Sequence, residues 1–190
     1  MEAYALGMTL GIPTKEAEKL VAGYLDGFPD LKKWREDSRL QVKAHGYIKN
    51  YVGRIRHLPK VTKIYEKFGE RIMDWRFRNQ LSEQYGKDQV LQVYRDYRNG
   101  LNNCLNFQLQ SLAASVVNRA ALKINRKAKE MNIDAIVQAQ VHDQLIINIR
   151  EDQAKDFAPI VQEIMENNLV LPGVTLKAPP EIADNWKEGH

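Results

Sequence analysis

Over the first 45 residues of this chain, apolar side chains recur every three or four positions, the spacing of helices with one buried face. Met1 to Leu10 reads as the end of a helix, stopped by Gly11-Ile-Pro13. Thr14 is placed to cap a second helix whose apolar face runs through Ala17, Leu20, Val21, Tyr24 and Leu25. Phe28-Pro29-Asp30 reads as a turn, with Asp30 capping a third helix that carries Leu31, Trp34, Leu40 and Val42 and ends at Gly46. Tyr47 to Tyr51 and Ile55 to Leu58 then flank Val52-Gly53 as a short hairpin that Pro59 closes.

Val61 to Gly100 is polar, charged and rich in aromatic residues (Tyr65, Phe68, Trp75, Phe77, Tyr85, Tyr94, Tyr97), and predicts two or three helices broken near Gly69 and Gly86. From Leu101 a long helix is expected to about Met131, with Leu105, Leu109, Leu112, Val116, Ala120 and Ile124 as its buried stripe. A polar row, Asn102, Asn106 and Gln110, runs beside that stripe. Ile136 to Val141 and Leu145 to Ile149 form two apolar strands joined by a two-residue turn, His142-Asp143. A last helix capped by Asp152 would bury Phe157, Ile160, Val161, Ile164 and Met165. Pro159 requires it either to begin near Asp156 or to kink. Val174 to Ala178 predicts an edge strand. The fold class is therefore α+β: a mostly helical portion, then a small portion in which an antiparallel hairpin packs on helices.

Length and composition narrow the classes. At 190 residues with 44% hydrophobic content, the chain can build one core or two small ones. No apolar run approaches the roughly 18 residues of a membrane span, and no basic leader with a cleavage site precedes the apolar start. The single cysteine, Cys104, excludes an internal disulfide and a cysteine-rich zinc site, and reads as a buried apolar residue. A cytoplasmic location follows as the expectation. The net charge of +4 is a weak sign of a polyanionic partner. The stretch Tyr47 to Lys63 is a stronger one, holding Lys49, Arg54, Arg56, His57, Lys60 and Lys63 with no acid, and Tyr47 and Tyr51 interleaved. It is either a solvated basic face or a strip that contacts phosphates.

The candidate chemistry lies in the second half. A carboxylate on a tight turn between two apolar strands is held rigidly and points into open space, as a divalent-metal ligand in phosphoryl transfer must be. Two ions about 3.5–4 Å apart are held by such groups, and magnesium accepts one or two aspartates because it keeps several waters. Asp143 fits that description, although an aspartate on a turn is commonly a turn former and His142 a surface histidine. Asn106 and Gln110 stand one helical turn apart. Side-chain amides can donate to purine N3 and pyrimidine O2 in the minor groove whatever the base pair, and so test pairing geometry rather than sequence. Plain helix solvation is the other reading of that row.

Taken in order, these blocks resemble family A, DNA polymerase I-like DNA polymerases. Tyr4-Ala-Leu-Gly-Met-Thr-Leu-Gly-Ile-Pro-Thr-Lys-Glu-Ala17, with Tyr24 and Phe28-Pro29, is similar to the segment after the family's nucleotide-binding fingers helix. Gly46-Tyr47 and Gly53-Arg54-Ile-Arg56-His-Leu-Pro59 resemble its Gly-Arg-Arg-x-x-Pro hairpin. Asn106-Phe-Gln-Leu-Gln110-Ser-Leu-Ala-Ala and Gln140-Val-His-Asp143 resemble the palm helix and motif C, and Asp184-Asn-Trp186 the family's ending. The resemblance implies a distal fingers portion over 1–98, with the basic hairpin near 47–58, and a palm portion over 99–190, with the motif C hairpin at 136–149. It implies Asp143 as a catalytic metal ligand, His142 near the primer terminus, and Asn106 and Gln110 in the minor groove of the new duplex. Arg54 and Arg56 are the candidates for phosphate contacts. Implied cofactors are two Mg2+ ions, shared with a carboxylate not present in this chain. Implied partners are primer-template DNA and deoxynucleoside triphosphates.

Departures accompany the resemblance. Gln144 stands where the family usually has glutamate, Asn102 where it often has arginine, and the segment from 61 to 100 is longer than its counterpart. No Asp-x-Ser-x-x-Glu motif, which carries the family's other catalytic aspartate, occurs here. The nearest string is Asp74-Trp-Arg-Phe, which lacks the serine and the glutamate. A split polymerase is therefore expected, in which a second polypeptide supplies that motif, the nucleotide-gripping residues and the thumb. Genes interrupted in this way point to a bacteriophage or similar element, and so to the cytoplasm of a bacterial host. A non-catalytic DNA-binding remnant, part of a single-subunit RNA polymerase, and a truncated sequence are the alternatives. The palm sheet, short of a strand, should leave an open edge and make the isolated chain marginal or partner-dependent.

Overall fold

The computed structural model describes residues 3–185, 187 and 188. In chain order the elements are α1 (Ala3–Leu10), α2 (Thr14–Asp26), α3 (Pro29–His45), β1 (Tyr47–Lys49), β2 (Ile55–His57), α4 (Pro59–Phe68), a 3₁₀ turn (Gly69–Met73), α5 (Trp75–Tyr85), α6 (Lys87–Glu130), β3 (Ala135–Val141), β4 (Gln144–Ile149) and α7 (Glu151–Asn167). The class is α+β, largely helical, with two small antiparallel hairpins. The chain divides into two compact units, one of Met1–Lys49 and Gly53–Gln108, the other of Asn50–Val52 and Leu109–His190.

The first unit is built around Val42, Ile48, Val61, Ile72, Tyr97, Leu101, Cys104 and Leu105, drawn from α3, β1, α4, the 3₁₀ turn and α6. α3 ends at Gly46, whose φ of 70° is a left-handed conformation that glycine adopts without strain. Its N–H donates to the Val42 carbonyl at 2.9 Å, which also accepts from the Thr62 hydroxyl at 2.8 Å. A side chain at Gly46 would press on that hydroxyl, 3.0 Å from an added Cβ. The turn leads into β1, whose Ile48 is buried while β2 is wholly exposed. The pairing is Tyr47 with His57, Ile48 with Arg56 and Lys49 with Ile55. Cys104 is completely buried, and burial pushes its thiol up to about 11.

In the second unit one face of the β3–β4 hairpin packs on two helices. Ala120, Ile124 and Ala128 of α6 and Phe157 of α7 form the buried centre, against Ala135, Val137, Leu145, Ile147 and Ile149. A bulge between Val137 and Ala139 shifts the register. It coincides with the Asn125 side chain accepting the Val137 N–H at 3.1 Å, so a helix side chain replaces a ladder partner.

Several boundaries differ from the sequence expectation, each for a local reason. Thr14 and Asp30 do not cap. Pro13 precedes α2 and its carbonyl already accepts the Glu16 and Ala17 N–H groups, at 2.9 and 3.1 Å. Pro29 opens α3, the position where its missing N–H costs nothing, which leaves Asp30 in the first turn. The long helix begins at Lys87 rather than Leu101 and runs for 44 residues. Gly100 does not interrupt it because Val61 occupies the space where a side chain would be: an added Cβ would sit 2.2 Å from Val61 Cγ2. Leu109 is 62% exposed rather than buried, since it falls between the stretches of α6 that serve the two cores. Val174 to Ala178 is not a strand. Leu171-Pro-Gly-Val174 is a tight turn, with Gly173 at φ 75° and the Val174 N–H on the Leu171 carbonyl at 3.0 Å, and the Ala178 N–H is taken by Glu166 at 3.1 Å. α7 starts at Glu151 and accommodates Pro159 on its exposed side, while Asp152, in its first turn, pairs with Arg150 instead of capping. Trp186, the last residue of the tail block, lies outside the described residues. Among those described, no helix is long and apolar enough to cross a membrane.

The Gly100–Val61 contact generates a test. Alanine ordinarily favours a helix over glycine by about 1 kcal/mol, yet Gly100→Ala should lower stability because the methyl group meets Val61. In a Val61→Ala background the same change should be neutral or stabilising. A double-mutant cycle by denaturant unfolding measures this coupling. Equal effects of Gly100→Ala in both backgrounds would show that the close approach is not what demands glycine.

Candidate functional site

β3 and β4 are joined by His142 and Asp143, with Val141 opposite Gln144. His142 adopts φ 54°, a left-handed conformation that a two-residue hairpin turn requires and that histidine tolerates better than most side chains. The Gln140 side-chain amide donates to the His142 carbonyl at 3.1 Å and secures the turn. Gln140 was legible only as part of a motif; its function as a brace is a structural finding. His142, Asp143 and Gln144 are all exposed. Among the described residues no hydrogen bond or ion pair engages the Asp143 carboxylate, so its oxygens are open to a ligand. The buried face of the hairpin holds the strands, and the turn presents the carboxylate.

Asp143 does not by itself make a metal site. Among the described residues no group of three histidine, cysteine, aspartate or glutamate side chains is placed to hold an ion. One carboxylate is fewer than a resident pair of ions needs, so the magnesium that the sequence resemblance implies does not fit these residues alone.

The amide row lies on α6. Asn106 and Gln110, four residues apart on one continuous helix, are both exposed, and Asn102 is half-buried. Gln108, between them, turns the other way: its amide donates to the buried Ser38 hydroxyl at 2.8 Å, which in turn donates to the Trp34 carbonyl at 2.7 Å. A second anchor joins the buried Asn50 amide to the Ser111 hydroxyl at 2.8 Å, while the Asn50 carbonyl oxygen accepts the Val52 N–H. Neither Gln108 nor Asn50 was singled out by sequence reasoning, because nothing in their spacing distinguishes an inward amide from a solvated one.

Arg54 and Arg56 are exposed on the first hairpin. The Arg56 guanidinium lies 5.9 Å from the centre of the Phe107 ring, which draws the basic strand to the part of α6 that carries Asn106. Arg54, Arg56 and Asn106 thus belong to the first unit, and Gln110, His142 and Asp143 to the second.

The fold is that of a polymerase domain. A solved structure of the POL domain of Pol1 from M. smegmatis, in complex with DNA primer-template and dNTP, superposes on 93% of this chain with a TM-score of 0.70, at 24% identity and over 26% of its own length. Residues 1–188 match the family model for DNA polymerase family A, and the chain belongs to that family. It is 27% identical over 183 residues to DNA polymerase I of Bacillus subtilis, and 26% identical over 188 residues to the thermostable DNA polymerase I of Thermus filiformis. These matches cover 96% and 99% of the chain, but it spans only 18% and 19% of the length of those relatives.

The turn geometry is testable without activity. His142→Val places a β-branched residue in the left-handed region and should cost about 1–2 kcal/mol relative to His142→Gly. Chemical denaturation of the two variants measures the difference. Equal stabilities would mean that the turn does not impose positive φ.

Proposed function

We propose that the chain forms part of a DNA-directed DNA polymerase that adds nucleotides to a primer 3′ end, and that it works with catalytic elements lying outside these 190 residues. The hairpin tip carries the reading: an exposed, unengaged aspartate on a braced turn, held by a strand face buried against two helices. Membership of DNA polymerase family A supports it. So does the solved polymerase domain with the same fold, which was captured with primer-template and dNTP.

In this reading 1–98 is the distal fingers portion and 99–190 the palm portion. Asp143 contributes one carboxylate to a magnesium site whose second carboxylate belongs to the remaining elements, and His142 lies near the primer terminus. Asn106 and Gln110 donate to minor-groove acceptors of the nascent pairs, which are present whatever the sequence. Arg54 and Arg56 contact backbone phosphates and position the duplex. The elements outside these residues, on the same chain or on a second polypeptide, grip the deoxynucleoside triphosphate.

One observation favours a second reading. Gln144 is exposed beside Asp143 where a glutamate is expected, so a chain that binds primer-template without supporting catalysis is the rival. Asp143→Ala separates the two. In an assembly that contains the remaining elements, the change should reduce primer extension by about 100-fold or more while leaving primer-template binding intact, because it removes charge stabilisation used only in the reaction. Extension that survives the substitution would remove Asp143 from the reaction.

A further inference from the structure

No residue of the segment from 61 to 100 is given a role in the proposed function. Its central helix, α5, buries none of its residues completely. Trp75 opens that helix and is 59% exposed, an unusual position for the side chain with the most apolar surface to hide. It is also well fixed. Asp74 accepts the Arg76 N–H at 2.9 Å and caps α5. Arg78 turns back to donate to the Ile72 and Met73 carbonyls, at 3.0 and 2.7 Å, with its guanidinium 4.1 Å from the centre of the Tyr94 ring. The corner that presents the indole is therefore rigid.

The surroundings of Trp75 are cationic and hydrogen-bonding. Arg76 lies 5.6 Å from the Trp75 ring centre. Asn79 and Gln80 are exposed one turn further along the same face, below Trp75 and Arg76. Of the nearby acids, Asp74 is committed to its cap and Glu70 is paired with Lys43. The first exposed acid on the helix is Glu83, past this strip.

We propose that this face of α5 binds single-stranded nucleic acid, with Trp75 stacking on an unpaired base, Arg76 neutralising a phosphate, and Asn79 and Gln80 reaching base edges. A fixed aromatic platform beside cations is the arrangement that holds single strands without sequence preference, since every base offers a π-face. Within a duplex the base faces are already stacked on one another, so the preference is for the unpaired strand. The site deepens the polymerase reading, for which the natural occupant is unpaired template.

The test uses the whole chain and two fluorescent probes, an oligothymidylate and a blunt DNA duplex, followed by anisotropy at several salt concentrations. Trp75→Ala should weaken oligothymidylate binding by about 10-fold and leave duplex binding within two-fold. Arg76→Ala should also weaken it and flatten the salt dependence by roughly one released ion. Trp75→Phe should restore most of the affinity. Unchanged oligothymidylate binding by Trp75→Ala would overturn the proposal, as would equal losses for duplex and single strand. The polymerase reading is tested by Asp143→Ala and not by Trp75. Normal oligothymidylate binding by Trp75→Ala together with lost extension by Asp143→Ala would leave that reading standing and remove this one.

Discussion

The structure depends on one continuous helix, α6, that supplies residues to both buried cores. α6 gives Tyr97, Leu101, Cys104 and Leu105 to the first core, and Ala120, Ile124 and Ala128 to the second. In proteins most helical stability comes from tertiary packing, and this 44-residue helix packs in both cores. Packing explains why Gly100 is tolerated in mid-helix: Val61 fits where a side chain would be, and the contact offsets glycine's backbone entropy cost. Within the first unit the helix anchors Gln108 on Ser38 and leaves Asn106 exposed; within the second, Ser111 accepts from the Asn50 amide and Gln110 is exposed.

Chemistry is placed at the edges of these cores. The β3–β4 hairpin spends one face on Ala120, Ile124 and Phe157 and projects its turn beyond them. Rigidity at the tip then comes from two short-range devices, the positive φ of His142 and the Gln140 brace. Neither neutralises Asp143, which keeps its oxygens for a ligand. The opposite face of the hairpin leaves Ile136 57% exposed, and the sheet has only two strands among the described residues.

Where local chemistry decides, the sequence was legible. Periodicity of three to four identified the helices, two apolar runs around a two-residue turn identified the hairpin, and the ordered blocks identified the family. The failures share a cause. A proline adjacent to a capping residue changes which residue begins a helix, as at Pro13 and Pro29. A glycine looks like a stop until the side chain that packs on it is known, as at Gly100. An apolar residue at the right spacing is exposed if the helix is passing from one core to another, as at Leu109. Within the candidate site, Asp143, His142, Asn106 and Gln110 are candidates that spacing and motif suggest. Gln140, Asn50 and Gln108 were not assigned their bracing contacts, because hydrogen bonds between distant segments leave no periodic trace.

The central claim is that these residues form part of a polymerase active centre without holding all of it. Magnesium-dependent primer extension tests this most directly, comparing the chain alone with the chain mixed with a family A segment that carries the upstream catalytic aspartate and the nucleotide-binding helix. The account predicts extension in the mixture and none by the chain alone. Extension by the chain alone would contradict it, because among the described residues no group of three metal-ligating side chains is placed to hold an ion. A mixture that binds primer-template yet never extends it would contradict the catalytic claim itself.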